Sequence, residues 1–307
     1  MNPSDVRLDA LGFPIPPVFN AQPAPDPAPR KPARGTFAIR AVLVVLAIGA
    51  AVMAVVRAEL GEPLNKGVAE WLARHAAQKY DRDDLGGALR DLDRAIAWTD
   101  KSPTIFALRG QIRLESGDVP GSLADFNKVV GLAPTSSRAF ELRATALQRL
   151  DRHEDAIRDL GQAVDLRRNT DPRLLNARAY TRAVAQQELD EALKDIELAI
   201  GIEGENAHYL DTRGYIRFLL GDYARAREDL DLALELANRS APLHIMFAGD
   251  PQRQRRFARE KRQHEFDLAV MYHHRGQIHE KLGNSKEAEN DLRLGDKLGY
   301  NPAAGVY

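Results

Sequence analysis

The chain has 307 residues, of which 44% are hydrophobic and 28% charged, so most of it carries enough apolar surface to fold into a packed core. Its 43 Lys and Arg residues nearly balance its 44 Asp and Glu residues, and a net charge of −1 argues against a general nucleic-acid-binding protein. Because the sequence contains no cysteine, it excludes disulfide bonds, cysteine-ligated metals and thiol nucleophiles.

The chain begins with a proline-rich segment over residues 1–35, which holds nine of the 17 prolines and predicts a disordered tail. Residues 41–56 then carry no charge. A helix over residues 36–56 would rise about 31 Å, close to the thickness of the hydrocarbon core of a bilayer. We therefore predict a single transmembrane helix over residues 36–57, followed by a linker over residues 58–68.

Basic residues flank this segment, with four before it and three after it: Arg30, Lys31, Arg34 and Arg40, then Arg57, Lys66 and Arg74. The small excess before the segment favours an N-terminus in the cytoplasm. The rest of the chain would then lie on the opposite side of a membrane that resembles the bacterial inner membrane. A buried helix of a soluble domain is one alternative. A cleaved signal peptide is another, although the proline-rich segment is far too long to be its n-region.

An internal repeat organises the rest of the chain. Six segments align, namely GALRDLDRAI, GSLADFNKVV, DAIRDLGQAV, EALKDIELAI, RAREDLDLAL and EAENDLRLGD. Their second residues are Ala88, Ser122, Ala156, Ala192, Ala226 and Ala288, which are separated by 34, 34, 36, 34 and 62 residues. One unit therefore recurs with one short and one long insertion, which is typical of stacked repeat proteins.

Each unit contains two helical stretches separated by a break such as Gly117-Asp118, which predicts a helical hairpin. Small residues recur in the first helix, where a missing side chain lets the second helix approach closely: Ala76, Gly110, Ala144, Ala179, Gly214 and Gly276. Large apolar residues recur in the second helix: Leu92, Phe126, Leu160, Ile196, Leu230 and Leu292. Their helical spacing predicts one buried face for each helix.

This pattern resembles the tetratricopeptide repeat family, whose unit of 34 residues places large and small apolar residues at these offsets. The resemblance covers residues 69–302 in six copies, and residues 303–307 form a short tail. It implies an all-α fold, an α-solenoid of about six helical hairpins behind the transmembrane helix. The sequence departs from the family where a tyrosine is usual in the first helix, because Arg113, Leu147, Arg217 and His279 stand there.

A basic and an acidic residue recur in every unit at a fixed offset. Arg109, Arg143, Arg178, Arg213 and Arg275 precede the small residue, and Asp125, Asp159, Asp195, Asp229 and Asp291 follow 16 or 17 residues later; the first unit has His75 and Asp91. Because the two helices of a hairpin are antiparallel, this offset predicts an ion pair between them. A site for an acidic ligand is the alternative, but recurrence in every unit favours a clamp that fixes helix register.

Four histidines lie near the C-terminus, at His264, His273, His274 and His279. No two of them have the spacing of three or four residues that places metal ligands on one helix face, and the sequence contains no His-Glu-x-x-His motif. We interpret them as polar residues on the surface of a repeat helix. No phosphate-binding glycine loop or nucleophile motif opens a helix. We therefore expect no catalytic residue, no cofactor and no enzymatic activity.

The long insertion lies over about residues 239–264 and is strongly basic, with seven basic and two acidic residues. Arg255, Arg256, Arg259 and Arg262 have helical spacing, so the segment is predicted to extend the first helix of the sixth unit backward to Pro251. Such a face could bind anionic lipid headgroups, an acidic partner or, less readily, nucleic acid. A solvated surface without a partner is the alternative.

By resemblance, the first helices of the units line a groove that binds protein partners. The residues predicted to line it are Gln111, Arg138, Glu141, Asn176, Tyr180, His208, Asp211, Tyr215 and Phe218. Aromatic residues among them could anchor a peptide, or could instead pack inside the hairpins. The sequence thus predicts a membrane-anchored scaffold that binds proteins or peptides, with binding of anionic lipid or polyanions through residues 253–262 as the alternative.

Overall fold

The computed structural model describes residues 44, 47–49, 51–52, 61–240 and 251–300. The chain divides into two compact units, Met1–Glu59 and Leu60–Tyr307. The described residues of the second unit form twelve helices and no strand: α1 (Gly61–Asp81), α2 (Leu85–Trp98), α3 (Pro103–Glu115), α4 (Val119–Leu132), α5 (Ser137–Gln148), α6 (His153–Leu166), α7 (Pro172–Val184), α8 (Leu189–Glu203), α9 (Ala207–Leu219), α10 (Tyr223–Arg239), α11 (Pro251–Lys281) and α12 (Ser285–Lys297).

Successive helices pair into six hairpins, α1–α2 through α11–α12, and the two helices of each hairpin make the most extensive contacts in the molecule. This confirms the all-α solenoid of about six hairpins. Helix α1 begins at Gly61, inside the segment predicted as a linker, so the first hairpin starts earlier than residue 69. Helix α11 begins at Pro251, as the spacing of the arginines predicts.

The predicted transmembrane helix lies mostly outside the described residues. Of residues 36–57, only residues 44, 47–49 and 51–52 are described, and these are helical. Within the described part of the chain, no helix combines the length and the apolar character needed to cross a membrane.

The first helices of the hairpins form the inner layer of the stack. In the described residues, α1 contacts α3, α3 contacts α5, α7 contacts α9 and α9 contacts α11, whereas no two successive second helices contact each other to the same extent. A stack whose first helices lie closer together than its second helices must curve toward the first helices. The groove therefore lies on the face that the first helices present.

The turn inside the second, fifth and sixth hairpins is built from a glycine and an acidic or amide residue. Gly117, Gly221 and Gly283 adopt φ values of +77° to +87°, the left-handed conformation that ends a helix most easily when the residue has no side chain. In the second and fifth hairpins, the side chain of the next residue caps the second helix. The Asp118 carboxylate accepts from the backbone N–H of Gly121 at 3.0 Å, and Asp222 accepts from Arg225 at 3.3 Å.

Small residues in the first helix allow the second helix to approach, as the sequence predicts. A methyl group at Gly110 would lie 2.5 Å from a ring carbon of Phe126. One at Gly214 would lie 2.1 Å from a methyl carbon of Leu230. Both large side chains are fully buried. The glycines therefore make room for the large residues that fill each hairpin.

The predicted ion pair is present in all five hairpins that carry the arginine. Each arginine holds its aspartate with a two-pronged fork at N–O distances of 2.6–3.2 Å: Arg109–Asp125, Arg143–Asp159, Arg178–Asp195, Arg213–Asp229 and Arg275–Asp291. In the first hairpin, His75 Nδ1 lies 2.9 Å from Asp91. The six aspartates are only 2–8% exposed, so each negative charge is satisfied inside the protein.

The departure from the family tyrosine supplies a second cation to the same aspartate. Arg113 Nη1 donates to Asp125 at 2.9 Å, and Arg217 Nη1 donates to Asp229 at 2.6 Å. In the first hairpin, Lys79 donates to Asp91 at 2.6 Å. This hydrogen bond is the largest of the effects that keep the pKa of the Asp91 carboxyl below its usual value, and burial opposes it.

The same arginines also join neighbouring hairpins. Arg109 Nη1 donates to Asp93 of the first hairpin at 2.7 Å, and Arg275 Nη1 donates to Asp231 of the fifth at 2.9 Å. Each acceptor lies two residues after the buried aspartate of the preceding hairpin. One guanidinium therefore fixes the register within a hairpin and between two hairpins.

Replacing Asp159 with Ala should lower the melting temperature. The change leaves the Arg143 guanidinium, whose side chain is 25% exposed, without its main partner. Losing one partner of a buried ion pair costs about 3 kcal/mol or more. Thermal unfolding followed by the helical circular dichroism signal measures the effect.

Asp165→Ala is the matched control, because Asp165 lies on the same helix and is exposed. It should change the free energy of unfolding by no more than about 0.5 kcal/mol. Equal melting temperatures for the Asp159 variant and the unmodified chain would contradict a clamp role.

Candidate protein-interaction groove

The predicted groove residues all lie on first helices. They are distributed over α3 (Gln111), α5 (Arg138 and Glu141), α7 (Asn176 and Tyr180) and α9 (His208, Asp211, Tyr215 and Phe218). The spacing of four between Asn176 and Tyr180, and between Asp211 and Tyr215, places each pair on one helix face. The fold thus brings the predicted residues of neighbouring hairpins to the same side of the stack.

Aromatic side chains form a continuous run across the fourth and fifth hairpins. The ring centroids of Tyr180 and Tyr215 lie 6.3 Å apart, and those of Tyr215 and Phe218 also lie 6.3 Å apart. Phe218 in turn contacts the ring of Tyr223 at 5.8 Å. These are normal distances for interacting rings, so the aromatic residues stabilise one another as well as lining the groove. Tyr215 and Phe218 remain partly exposed.

A buried His–Asp pair joins the fifth and sixth hairpins beneath this run. His274 Nδ1 lies 2.8 Å from Asp211 Oδ1, and His274 is 5% and Asp211 0% exposed. The His274 ring also stacks on Tyr215, with centroids 4.3 Å apart. The interpretation of the histidines as surface residues is therefore wrong for His274, and equally for His279, which is 9% exposed. Nothing in the local sequence signals a contact across 63 residues.

The remaining histidines do not change the expectation about metals. His273 stacks on Tyr300 at 3.9 Å, and burial lowers its pKa, so that it favours the neutral form. Within the described ranges, no group of three or more His, Asp or Glu side chains lies where it could hold a metal ion.

A second buried carboxylate lies at the same junction. Asp267 of α11 is 8% exposed, accepts from Gln263 at 2.9 Å, and lies 3.9 Å from His208 Nε2. Burial, as the largest effect, raises the pKa of Asp267. On α7, the Asn176 side-chain oxygen is buried without a hydrogen-bond partner. The wall of the groove formed by α7, α9 and α11 is therefore polar beneath its aromatic surface.

Burial separates the predicted groove residues into two groups. Asn176, Tyr180 and Asp211 are 8%, 6% and 0% exposed, so they support the surface from below and offer little area to a partner. The others keep exposed area: Gln111, Arg138, Glu141, His208, Tyr215 and Phe218. Arg138 and Glu141 pair with each other at 2.9 Å. All nine predicted residues lie on first helices, but the sequence could not distinguish the surface residues from the residues beneath them.

The predicted basic patch lies on the first half of α11, which extends beyond the sixth hairpin. Arg255, Arg256, Arg259 and Arg262 are all exposed there. Arg256 pairs with Glu260 at 2.9 Å. The Arg259 guanidinium lies 5.1 Å from the centre of the Tyr80 ring in the first hairpin, and its Nη1 donates to the Tyr80 hydroxyl at 3.4 Å.

The sequence profile of the tetratricopeptide repeat matches residues 207–239 and 269–298, the fifth hairpin and most of the sixth. A tetratricopeptide repeat protein from Parabacteroides merdae has a similar structure, with 15% identity, coverage of 77% of this chain and 95% of that chain, and a TM-score of 0.54. A MamA structure from Desulfovibrio magneticus RS-1 is 19% identical over 56% of this chain and 96% of that chain, with a TM-score of 0.51.

The Cut9–Hcn1 hetero-tetramer of APC/C contains a chain that is 14% identical, with a TM-score of 0.57 and coverage of 73% of this chain and 39% of that chain. At these identities the likeness extends to the fold alone. No curated protein sequence matches the chain.

The stack of six hairpins, with its inner layer of first helices, defines an α-solenoid. The profile match places tetratricopeptide repeats in the fifth hairpin and in most of the sixth, and the similar structures share the fold of the stack.

The Asp267→Asn variant should gain stability relative to the unmodified chain as the pH rises. Because the folded-state pKa of Asp267 is raised, the carboxyl contributes stability at low pH that is lost as the pH rises through that pKa. The amide keeps the acceptor for Gln263 but does not titrate. The melting temperature of the variant minus that of the unmodified chain should therefore increase between acidic and neutral pH.

Thermal unfolding of both proteins at a series of pH values measures this difference. Asp165→Asn, which changes an exposed carboxylate, provides the comparison. A difference that is constant with pH, or that falls as the pH rises, would refute the effect of burial on Asp267.

Proposed function

We propose that this chain is a membrane-anchored scaffold that binds protein or peptide partners through the groove of its first helices. The tetratricopeptide repeat fold supports a role in protein–protein interaction. The observation that carries the proposal is the run of partly exposed aromatic rings, Tyr215 and Phe218, on the inner helix face. Rigid aromatic side chains on a concave surface are the usual anchors of a protein interface.

The polar residues beside the aromatic run would give such an interface its specificity. Gln111 and His208 keep partly exposed side chains on the same face, and Asn176 holds an oxygen without a hydrogen-bond partner. A partner can reach the exposed parts of Gln111 and His208, whereas Asn176 lies beneath the surface. We infer that an extended or helical segment of a partner lies along α3, α5, α7 and α9.

Site-specific photocrosslinking in cells tests the groove. A photoreactive amino acid placed at Gln111, Glu141 or Phe218 should crosslink a discrete partner, because these side chains lie on the groove face. The same amino acid at Glu197 or Glu228, which are exposed on the second helices α8 and α10, is the matched control. Equal crosslinking from both faces, or from neither, would argue against the groove as the binding surface.

We also propose that residues 36–57 anchor the chain in a membrane, with the N-terminus in the cytoplasm and the solenoid on the far side. Val44, Ile48 and Val52 support this proposal. They are helical, spaced by four residues, and 53–58% exposed, so that this helix displays apolar side chains on its surface. Exposed apolar area of this kind favours transfer into lipid.

Deletion of residues 36–57 should release the chain from the membrane fraction. The full chain should stay in the pellet after an alkaline carbonate wash, whereas the deletion variant should appear in the supernatant. Protease added to intact spheroplasts should degrade the solenoid if it faces outward. A full chain that carbonate extracts would refute the anchor, and a protected solenoid would refute the orientation.

We propose no chemistry for this protein, because tetratricopeptide repeat proteins generally act as scaffolds. Binding of anionic lipid or polyanions through residues 253–262 stays a prediction of the sequence. The groove proposal does not depend on it.

A further inference from the structure

The first half of α11 presents a cationic surface that the tetratricopeptide repeat itself does not require. Helix α11 has 31 residues, whereas the other first helices of hairpins two to five have 12 or 13. Residues 253–262 carry five arginines and one lysine against a single glutamate. Glu260 pairs with Arg256, and Glu265 further along the helix pairs with Lys261, so these ten residues keep a surplus of basic over acidic side chains.

These arginines line a cavity of about 690 Å³ between α11 and the first hairpin. One wall is formed by residues of α11, including Arg253, Arg255, Arg256, Arg259 and Arg262. The opposite wall is formed by the turn of the first hairpin, with Asp81 and Asp83. Five guanidinium groups against three carboxylates, counting Glu260, leave the lining with a surplus of positive charge.

A contact with the first hairpin holds the cationic wall in place. The Arg259 guanidinium lies over the Tyr80 ring, and the Tyr80 hydroxyl donates to the Glu115 carboxylate at the end of α3. Burial, together with Glu115, raises the pKa of Tyr80 to about 12, so this hydroxyl remains a donor at neutral pH. The contact connects residues 179 positions apart and spans the first and last hairpins. The cavity is therefore a built feature of the folded chain.

The shape of the cavity decides between two kinds of anionic partner. A flat bilayer would touch the rim of a concave surface, and Asp81 and Asp83 on the far wall would repel its headgroups. An extended polypeptide can enter a cavity of this volume and place its carboxylates against the arginines on one side only. Arginine binds carboxylates with two parallel hydrogen bonds, which suits acidic side chains.

We propose that the cavity between α11 and the first hairpin is a second binding site, separate from the groove, that takes an acidic segment of a partner protein. The aspartates and glutamates of that segment pair with Arg255, Arg256 and Arg262, which are exposed toward the cavity. Asp81 and Asp83 weaken the binding and restrict it to segments with a high density of negative charge. Arg259 fixes the wall through Tyr80.

Fluorescence anisotropy with a labelled peptide of alternating glutamate and serine tests this site. The full chain is held in neutral detergent micelles, and a peptide of glutamine and serine serves as the uncharged probe. The acidic peptide should bind and the uncharged one should not, and the affinity should fall steeply as salt is added. The triple variant Arg255→Ser, Arg256→Ser, Arg262→Ser should weaken binding about tenfold or more, since it removes three close charges.

Two further variants make the test specific to the cavity. Arg158→Ser, Arg173→Ser, Arg225→Ser removes the same charge from arginines that are 67–81% exposed elsewhere, and it should leave binding unchanged. Asp81→Asn with Asp83→Asn should tighten binding about fivefold, because it removes opposing charge from the far wall. Asn suits position 83, where φ is +67°.

The proposal is overturned if the acidic peptide does not bind, if both triple variants weaken it equally, or if the Asp81 and Asp83 variant has no effect. Vesicles of phosphatidylcholine with and without phosphatidylserine provide the last comparison. Arginine-dependent binding to the anionic vesicles without binding of the acidic peptide would replace the acidic segment with a membrane surface. Groove crosslinks that persist in the first triple variant would show that the two sites are independent.

Discussion

The structure depends on one interaction that is repeated along the chain, a buried aspartate on the second helix of each hairpin held by a cation from the first. Each aspartate is 2–8% exposed, so it is stable inside the protein only when its charge is fully paired. The arginine fork supplies that pairing in one geometry, and Arg113 and Arg217 strengthen it with a second cation. Because Arg109 and Arg275 also reach the preceding hairpin, the same network joins the first hairpin to the second and the fifth to the sixth.

The network leaves the first helices free to form an inner surface. With helix register fixed by the Arg–Asp pairs, the face of α7 and α9 can carry aromatic residues that both pack within the stack and keep area for a partner. Tyr215 illustrates this double role, because it stacks on buried His274 and still keeps exposed area. A binding surface on such a support is rigid, which reduces the entropy lost when a partner binds.

The insertion before the sixth hairpin lengthens α11 and leaves the stacking of the hairpins unchanged. The insertion continues the first helix of that hairpin backward, so that the whole of α11, with 31 residues, is about 46 Å long at 1.5 Å per residue. Its end reaches the first hairpin, where Arg259 contacts Tyr80. A chain of repeats normally contacts only its neighbours, so this long-range contact gives the solenoid a feature that no repeat encodes by itself.

The sequence alone determined the local and the periodic features. Residue spacing predicted the hairpins, the close approach at Gly110 and Gly214, the five Arg–Asp pairs and the start of α11, because each depends on residues at most one hairpin apart. Only the tertiary structure decided which groove residues are buried and that Asp211 meets His274. It also decided that α11 reaches Tyr80. These contacts join helices distant in sequence, and their geometry follows from the accumulated curvature of the stack, which no local pattern records.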